Sequence, residues 1–290
     1  MSEATRAGLS FDKKPLNEEE RTAALENLAR QMRGDLVSMS YRTGAAHLGS
    51  SLSCVEILIA AYWTALRIDP KHADDPDRDR LLFSKGHAVA SLYLALAYRG
   101  FFPLEKLEEY AELGGALPEH PVLGSLPGIE ATTGSLGHGL SLAVGIAMAG
   151  RIHKRSYRTM VVMSDGECNE GSVWEAALSA SAFGLENVMA IVDYNKWQAT
   201  GRSDEVLVLK PLVDKWRAFG WSAYEVDGHD LRAVIEAMRA FPDGSGKPVA
   251  LIAHTVKGKG ISFMEDDNNW HYRIPTADEV RAAHRELGLA

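Results

Sequence analysis

The chain has 290 residues, 46% of them hydrophobic, with 31 Lys and Arg against 39 Asp and Glu and a formal net charge of −8. That length buries a large core and suits one large α/β domain or two small ones, while the acidic balance, without any Lys/Arg cluster, excludes a nucleic-acid surface. The opening MSEATRAGLSFDKK lacks an apolar segment, and the apolar run near Ile57 is broken by Glu56 and too short to cross a bilayer, so a cytoplasmic setting with no membrane partner is expected.

Residues 1 to 17 are polar and read as a flexible arm. Asn17 with Glu20 three residues on has capping-box spacing and predicts a helix through LENLARQMRGDLVSMS that ends at Gly44. A second helix follows Ser53 (CVEILIAAYWTAL), and the polar turn KHADDPDRDR leads to a short strand, LLFS. Next come a helix from His87 to Arg99, a Gly- and Pro-rich loop from Gly114 to Gly128 and a small-residue helix from Leu136 to Ala149. Beyond residue 197 the pattern gives a helix near Asp214, a strand from Ser222 to Val226, a helix from Asp230, the strand PVALIAHTV and a last helix from Ala277 to Leu287. Alternating strands and helices imply α/β class, a three-layer α/β/α sandwich around a mostly parallel sheet. Two cysteines, Cys54 and Cys168, are too few for a disulfide framework, and Cys168 reads as packing rather than as a nucleophile.

The most informative stretch runs from Thr159 to Trp197. One apolar run ends in Ser164-Asp165-Gly166, a helical segment follows, and a second apolar run ends at Asp193, just before Asn195. In a parallel sheet both strands end on the same edge, so Asp165 and Asn195 meet across thirty residues and offer oxygen ligands to a hard cation. A helix start just after Gly166 would add backbone N–H groups and a positive dipole end, which favour a diphosphate. Taken alone, an acid-Gly pair after a strand describes equally well a β-α-β unit whose Asp caps a helix.

The whole segment resembles the thiamine diphosphate motif, which begins Gly-Asp-Gly and closes with Asn, and Glu170-Gly171 with Trp174-Glu175-Ala176 resembles its transketolase form. Ser164 stands where the motif has its first Gly. TGAAHLGSSLS, from Thr43 to Ser53, is similar to the family's Ser-Gly-His-Pro-Gly segment, with His47 in the matching place and Leu48 for the Pro. Ser84-Lys85-Gly86-His87 resembles its Gly-His element, and LPEHP supplies His120. TTGSLGHG resembles the turn whose backbone, at Gly134 and Leu136, holds the aminopyrimidine, with His138 for the usual Gln, and the segment TVKGKGISFMEDDNNWH ends at His271. His72 and His153 read as solvated and His229 as a turn residue.

The resemblance implies one diphosphate-binding domain, residues 18–290, carrying thiamine diphosphate with Mg²⁺ or Ca²⁺. Asp165, Asn195 and the carbonyl of Trp197 would hold the metal. His87, Gly134, Leu136, Gly166, Glu170 and His271 would join Asp165 and Asn195 around the cofactor. His47, His120 and His271 would handle substrate protons during two-carbon ketol transfer from a ketose or its phosphate to an aldose. The chain matches the first of the family's three domains, so a partner polypeptide is expected to supply the pyrimidine domain. Glu170 resembles a residue that bridges two cofactor sites, so a heterotetramer is expected. Alternatives are another thiamine enzyme, such as a deoxyxylulose-phosphate synthase or a 2-oxo acid dehydrogenase component, against which ECNEGSVWEA and DYNKWQATGRS argue, or a non-catalytic cofactor-binding relic. A nicotinamide domain is disfavoured because no Gly-x-Gly-x-x-Gly follows the first strand.

Overall fold

The computed structural model describes residues 17–289, so the expected arm lies outside the described residues except for Asn17. Asn17 caps α1 (Glu18–Thr43) through the capping box with Glu20, and Gly44 closes the helix in the left-handed conformation, as the spacing predicts. The second expected helix starts earlier and is divided. α2 (Leu48–Ser53) begins at the Leu that replaces the family's Pro, Cys54 interrupts it, and α3 (Val55–Ala60) widens into a π turn over Ala61–Ala65. Leu48 thus occupies the first helical position, where a Pro is tolerated for want of a hydrogen-bonding role for its N–H.

The strands are β1 (Arg80–Phe83), β2 (Thr159–Ser164), β3 (Val188–Tyr194), β4 (Ser222–Asp227) and β5 (Val249–His254). They pair in the order β1-β2-β3-β5-β4, every pairing parallel. The helices between and after them are α4 (Val89–Arg99), α5 (Gly139–Ile152), α6 (Gly171–Ala182), α7 (Ser203–Val206), α8 (Leu212–Ala218), α9 (Leu231–Arg239) and α10 (Ala277–Glu286). Side chains alternate along each strand between two separate cores. Met160, Val162, Met189, Ile191 and Leu251 face the core built with α1, α2, α3, α4 and α9, whereas Val161, Met163, Ala190, Val192 and Ile252 face the one built with α5, α6 and α8. The expected three-layer architecture follows from that division, because a parallel sheet buried on both faces needs helices on each. No helix of the described residues is long and apolar enough to cross a membrane.

Ser164 pairs with Asp193 at the end of the β2–β3 ladder, which brings both strand ends to one level. There a fully buried ion pair joins Lys85, just past β1, to Asp193 of β3. Ser53 of α2 donates to the same carboxylate at 2.6 Å, Thr255 beyond β5 donates to its other oxygen, and Lys85 also donates to Ser50 O at 2.9 Å. Burial would raise the Asp193 pKa, but Lys85 and these donors hold it below the usual carboxylate value. Lys85→Met should therefore destabilise the fold by about 3–5 kcal/mol, because it leaves a charge buried and unpaired. Urea unfolding checks this, with the double variant Lys85→Met/Asp193→Leu expected to recover most of the loss.

Candidate active site

At the carboxyl ends of β2 and β3 lies a cavity of about 470 Å³. Ten of the eleven residues singled out from sequence line it: His47, His87, His120, Gly134, Leu136, Gly166, Glu170, Asn195, Trp197 and His271. The eleventh, Asp165, is fully buried beside Gly166. The loops arrive from distant parts of the chain because parallel strands deliver all their exits to one edge.

Asp165 accepts from the N–H of Gly166 and of Lys196, each at 2.9 Å, and from Ser203 Oγ at 2.7 Å. All three donors are neutral. Burial, reinforced by nearby Asp193, pushes its pKa up to about 7 against the pull of those hydrogen bonds. Asn195, 2% exposed, accepts through Oδ1 from the Trp197 N–H at 3.1 Å, so the turn Asn195-Lys196-Trp197 is stitched to both ligand candidates. Lys196 takes a left-handed φ of 71° to make it.

Two expectations around Gly166 change. The helix does not begin there: Gly166–Asn169 forms a 3₁₀ turn, Glu170 is extended, and α6 starts at Gly171. Nor are the first N–H groups free, since Asp165 takes that of Gly166 and Ser164 Oγ accepts from Glu167 N at 3.2 Å. Ser164, the departure from the motif's Gly, thus caps the turn. The small-residue helix likewise begins at Gly139 rather than Leu136, because Gly134 and Gly137 hold positive φ values that no helix accommodates. Gly134, at φ 146°, also leaves room for His120, whose Cδ2 would stand 2.8 Å from any Cβ there. His138 is exposed at the N-cap of α5 and is not part of the cavity lining.

Three imidazoles form a cluster, with ring centroids 4.8 Å apart for His47 and His271, 5.4 Å for His47 and His87, and 5.9 Å for His87 and His271. Burial, together with neighbouring cationic and imidazole groups, drives their pKa values down, to about 4 for His47, to about 3 for His271 and well below the usual value for His87. His47 caps α2 in the left-handed conformation, and its N–H donates to His271 O at 2.8 Å. His120 is exposed on its loop, and Glu170 is exposed at the start of α6.

Sequence reading missed the buried groups behind these. Lys257 donates from Nζ to His271 Nδ1 at 2.9 Å and to Asn268 Oδ1 at 2.7 Å, which leaves the ring proton of His271 on Nε2. Burial and Lys85 lower the Lys257 pKa to about 8. Glu167 accepts from Ser84 Oγ and from Gly137 N at 2.9 Å, tying the β1 exit to the TTGSLGHG turn. His229 is more than a turn residue: its Nε2 accepts from Val256 N at 2.8 Å and its Nδ1 donates at 3.1 Å to Glu56, which also pairs with Arg33 at 2.7 Å. Only burial distinguishes such charged residues from solvated ones, and a local pattern does not carry it. Cys54 and Cys168 are buried free thiols, and burial raises both pKa values, which makes them inert packing.

The family model for transketolase, thiamine diphosphate binding domain, matches residues 23–290. The chain is 41% identical over 263 residues to one subunit of the apulose-4-phosphate transketolase of Phocaeicola vulgatus, covering 91% of this chain and 93% of that one. It is 42% identical over 246 residues to one subunit of the 6-deoxy-6-sulfo-D-fructose transketolase of a Clostridium species, covering 85% and 90% respectively. Among solved structures, the transketolase of Campylobacter jejuni matches with a TM-score of 0.82 at 28% identity over 91% of this chain. That of Pichia stipitis in complex with sedoheptulose-7-phosphate matches with 0.84 at 27% over the same share. The chain spans 42% and 41% of those two structures' chains. An all-parallel sheet that carries Asp165 and Asn195 at adjoining strand ends, with these likenesses across most of its length, leaves one conclusion: the chain belongs to the transketolase family and corresponds to its thiamine diphosphate-binding domain.

Proposed function

We propose that this chain is the diphosphate-binding subunit of a two-chain transketolase that moves a two-carbon ketol unit from a ketose, or its phosphate, to an aldose in the cytoplasm. The observation that carries the reading is the convergence of ten motif residues on one cavity, with Asp165 buried beside it. The two-chain form is supported by relatives of nearly equal length whose names call them subunits, while the chain spans only 41% of a single-chain transketolase. A pyrimidine-domain partner and a symmetric heterotetramer complete the proposal, with exposed Glu170 toward the second site.

A divalent metal fits the residues present. Asp165 is a buried carboxylate with neutral partners, and no group of three or more His, Cys, Asp or Glu stands ready as a self-sufficient metal site among the described residues. One carboxylate, the Asn195 carboxamide and the Trp197 carbonyl leave the remaining positions to diphosphate oxygens and water, the usual pattern for Mg²⁺. When bound, thiamine diphosphate supplies the carbanion chemistry of the transfer. This chain's part is to hold and to move protons. His87 would contact the diphosphate, and the backbone at Gly134 and Leu136 the aminopyrimidine. His47 and His271 would serve the reacting substrate oxygen and His120 the donor hydroxyl. An anion among the neutral imidazoles would raise their basicity toward the range useful for proton transfer.

Asp165→Ala should abolish metal-dependent cofactor binding, read by calorimetry with and without Mg²⁺; affinity equal to that of the parent would refute the metal assignment. Turnover should require mixing with a pyrimidine-domain polypeptide, and robust ketol transfer by the 290-residue chain alone would refute the two-chain form. In that assembly His120→Ala should keep cofactor affinity near the parent's while lowering transfer by roughly 10²–10⁴-fold, the range of a positioned acid or base.

The depressed histidines also make a stability prediction. As pH falls below about 6.5 the unfolded chain binds protons that the folded chain refuses until about pH 4 at His47 and about pH 3 at His271, with His87 lowered in the same direction, so folding stability declines across that window. Asp165, raised to about 7, and Glu167, also raised by burial, act in the opposite direction, while the lowered carboxylates of Glu56, Asp79 and Asp193 add to the decline. The melting temperature of the cofactor-free chain should therefore fall from pH 6.5 to 4, and more steeply than that of His47→Asn/His271→Asn. Parallel curves would show that these rings titrate normally.

A further inference from the structure

Just past Asn195 the chain folds into a tight hairpin, Lys196 to Arg202, whose residues Trp197 to Thr200 line the cavity. Trp197 and Arg202 form an antiparallel bridge, and Gln198 N donates to Gly201 O at 2.8 Å. The Arg202 guanidinium stacks 3.9 Å from the Trp197 ring centre and grips Asp266 with two bonds of 2.6 Å, while Trp197 Nε1 donates to the same carboxylate at 2.8 Å. Asn268 Nδ2 donates to Ala199 O at 3.2 Å. The hairpin is thereby braced against the segment that carries His271.

Within this braced hairpin, Gln198 Nε2 is buried without a hydrogen-bond partner. Five side-chain atoms among the described residues share that condition, and this one belongs to a residue lining the cavity. A buried carboxamide donor without an acceptor is unfavourable and is relieved by any ligand that brings one. The side chain crosses directly over Gly166: a Cβ there would stand 3.0 Å from Gln198 Cγ. Its amide therefore shares the ground beside the Asp165-Gly166 turn, where β2 ends. An amide N–H is a donor alone, so what it lacks is an oxygen acceptor.

We infer that Gln198 is a further binding residue of this site, whose Nε2–H donates to an anionic oxygen at the diphosphate end of the bound cofactor. This rests on the thiamine diphosphate reading of the cavity. The bracing by Arg202, Trp197 and Asp266 holds the donor in place before the ligand arrives, which limits the ordering lost on binding.

Calorimetry on the full 290-residue chain with Mg²⁺ tests it, using thiamine diphosphate and, in parallel, inorganic pyrophosphate. Gln198→Met keeps the length of the side chain and removes the donor, and Gln198→Glu sets a negative charge against the anion. Gln198→Met should weaken both ligands about tenfold or more, as expected for a lost hydrogen bond to a charged group, and Gln198→Glu further still. The ligand-free melting temperature of Gln198→Met should equal or exceed the parent's, because an unpaired buried donor has been removed. Affinity within twofold of the parent for both ligands overturns the inference, as does a loss for thiamine diphosphate with pyrophosphate unaffected. A lowered ligand-free melting temperature also overturns it, since the amide would then serve the protein itself. A parent chain that binds neither ligand while folded overturns the reading of this cavity as the cofactor site, and this inference with it.

Discussion

The buried ion pair between Lys85 and Asp193 is the constraint to which the site's geometry refers. A charge pair taken out of water is weak evidence for stability, because desolvation offsets much of the attraction, but it is demanding about position. Here the demand is shared among four segments. Asp193 is the penultimate residue of β3, two before Asn195, Lys85 leads into the Gly86-His87 turn, Ser50 and Ser53 belong to the helix that His47 caps, and Thr255 opens the segment leading to Lys257 and His271. Each of these neighbours the cavity, and each is satisfied only if the others are in register.

The electrostatic character of the cavity follows from what that arrangement leaves over. Asp193 has its cation and Asp165 does not, although both are buried carboxylates within one strand end of each other. Facing them, three imidazoles are kept neutral by burial and by Lys257 and Lys85. A site that holds buried carboxylates with only neutral donors, Asp165 and Glu167, beside neutral bases and a buried lysine suits a ligand that brings both a cation and an anion. On the proposed reading, charge balance would be reached when metal and diphosphate arrive together, with Asp165 as the one protein carboxylate on the metal.

Much of this was legible in the sequence, for a definite reason. The candidate ligand pair Asp165 and Asn195, the four histidines in their loops and the turn at Gly134 are all short local patterns next to strand or helix ends, and they converge because parallel strands share an exit edge. The alternation of apolar segments likewise predicted the three layers. The divided helix at Cys54 and the late start of α6 escaped, since apolar periodicity marks the presence of a helix far better than its first turn.

What the sequence by itself determined is therefore the class of fold, the family and the identity of the residues that gather at the strand ends. Tertiary structure alone decided which charged groups are buried and with whom: Lys85 with Asp193, Lys257 with His271, Glu56 with Arg33 and His229. It also decided that Gln198 has a donor with no acceptor. The physical reason is that burial and pairing belong to contacts between segments tens to hundreds of residues apart. A lysine in a local pattern is the same lysine whether water or a carboxylate surrounds it, and only packing chooses between them.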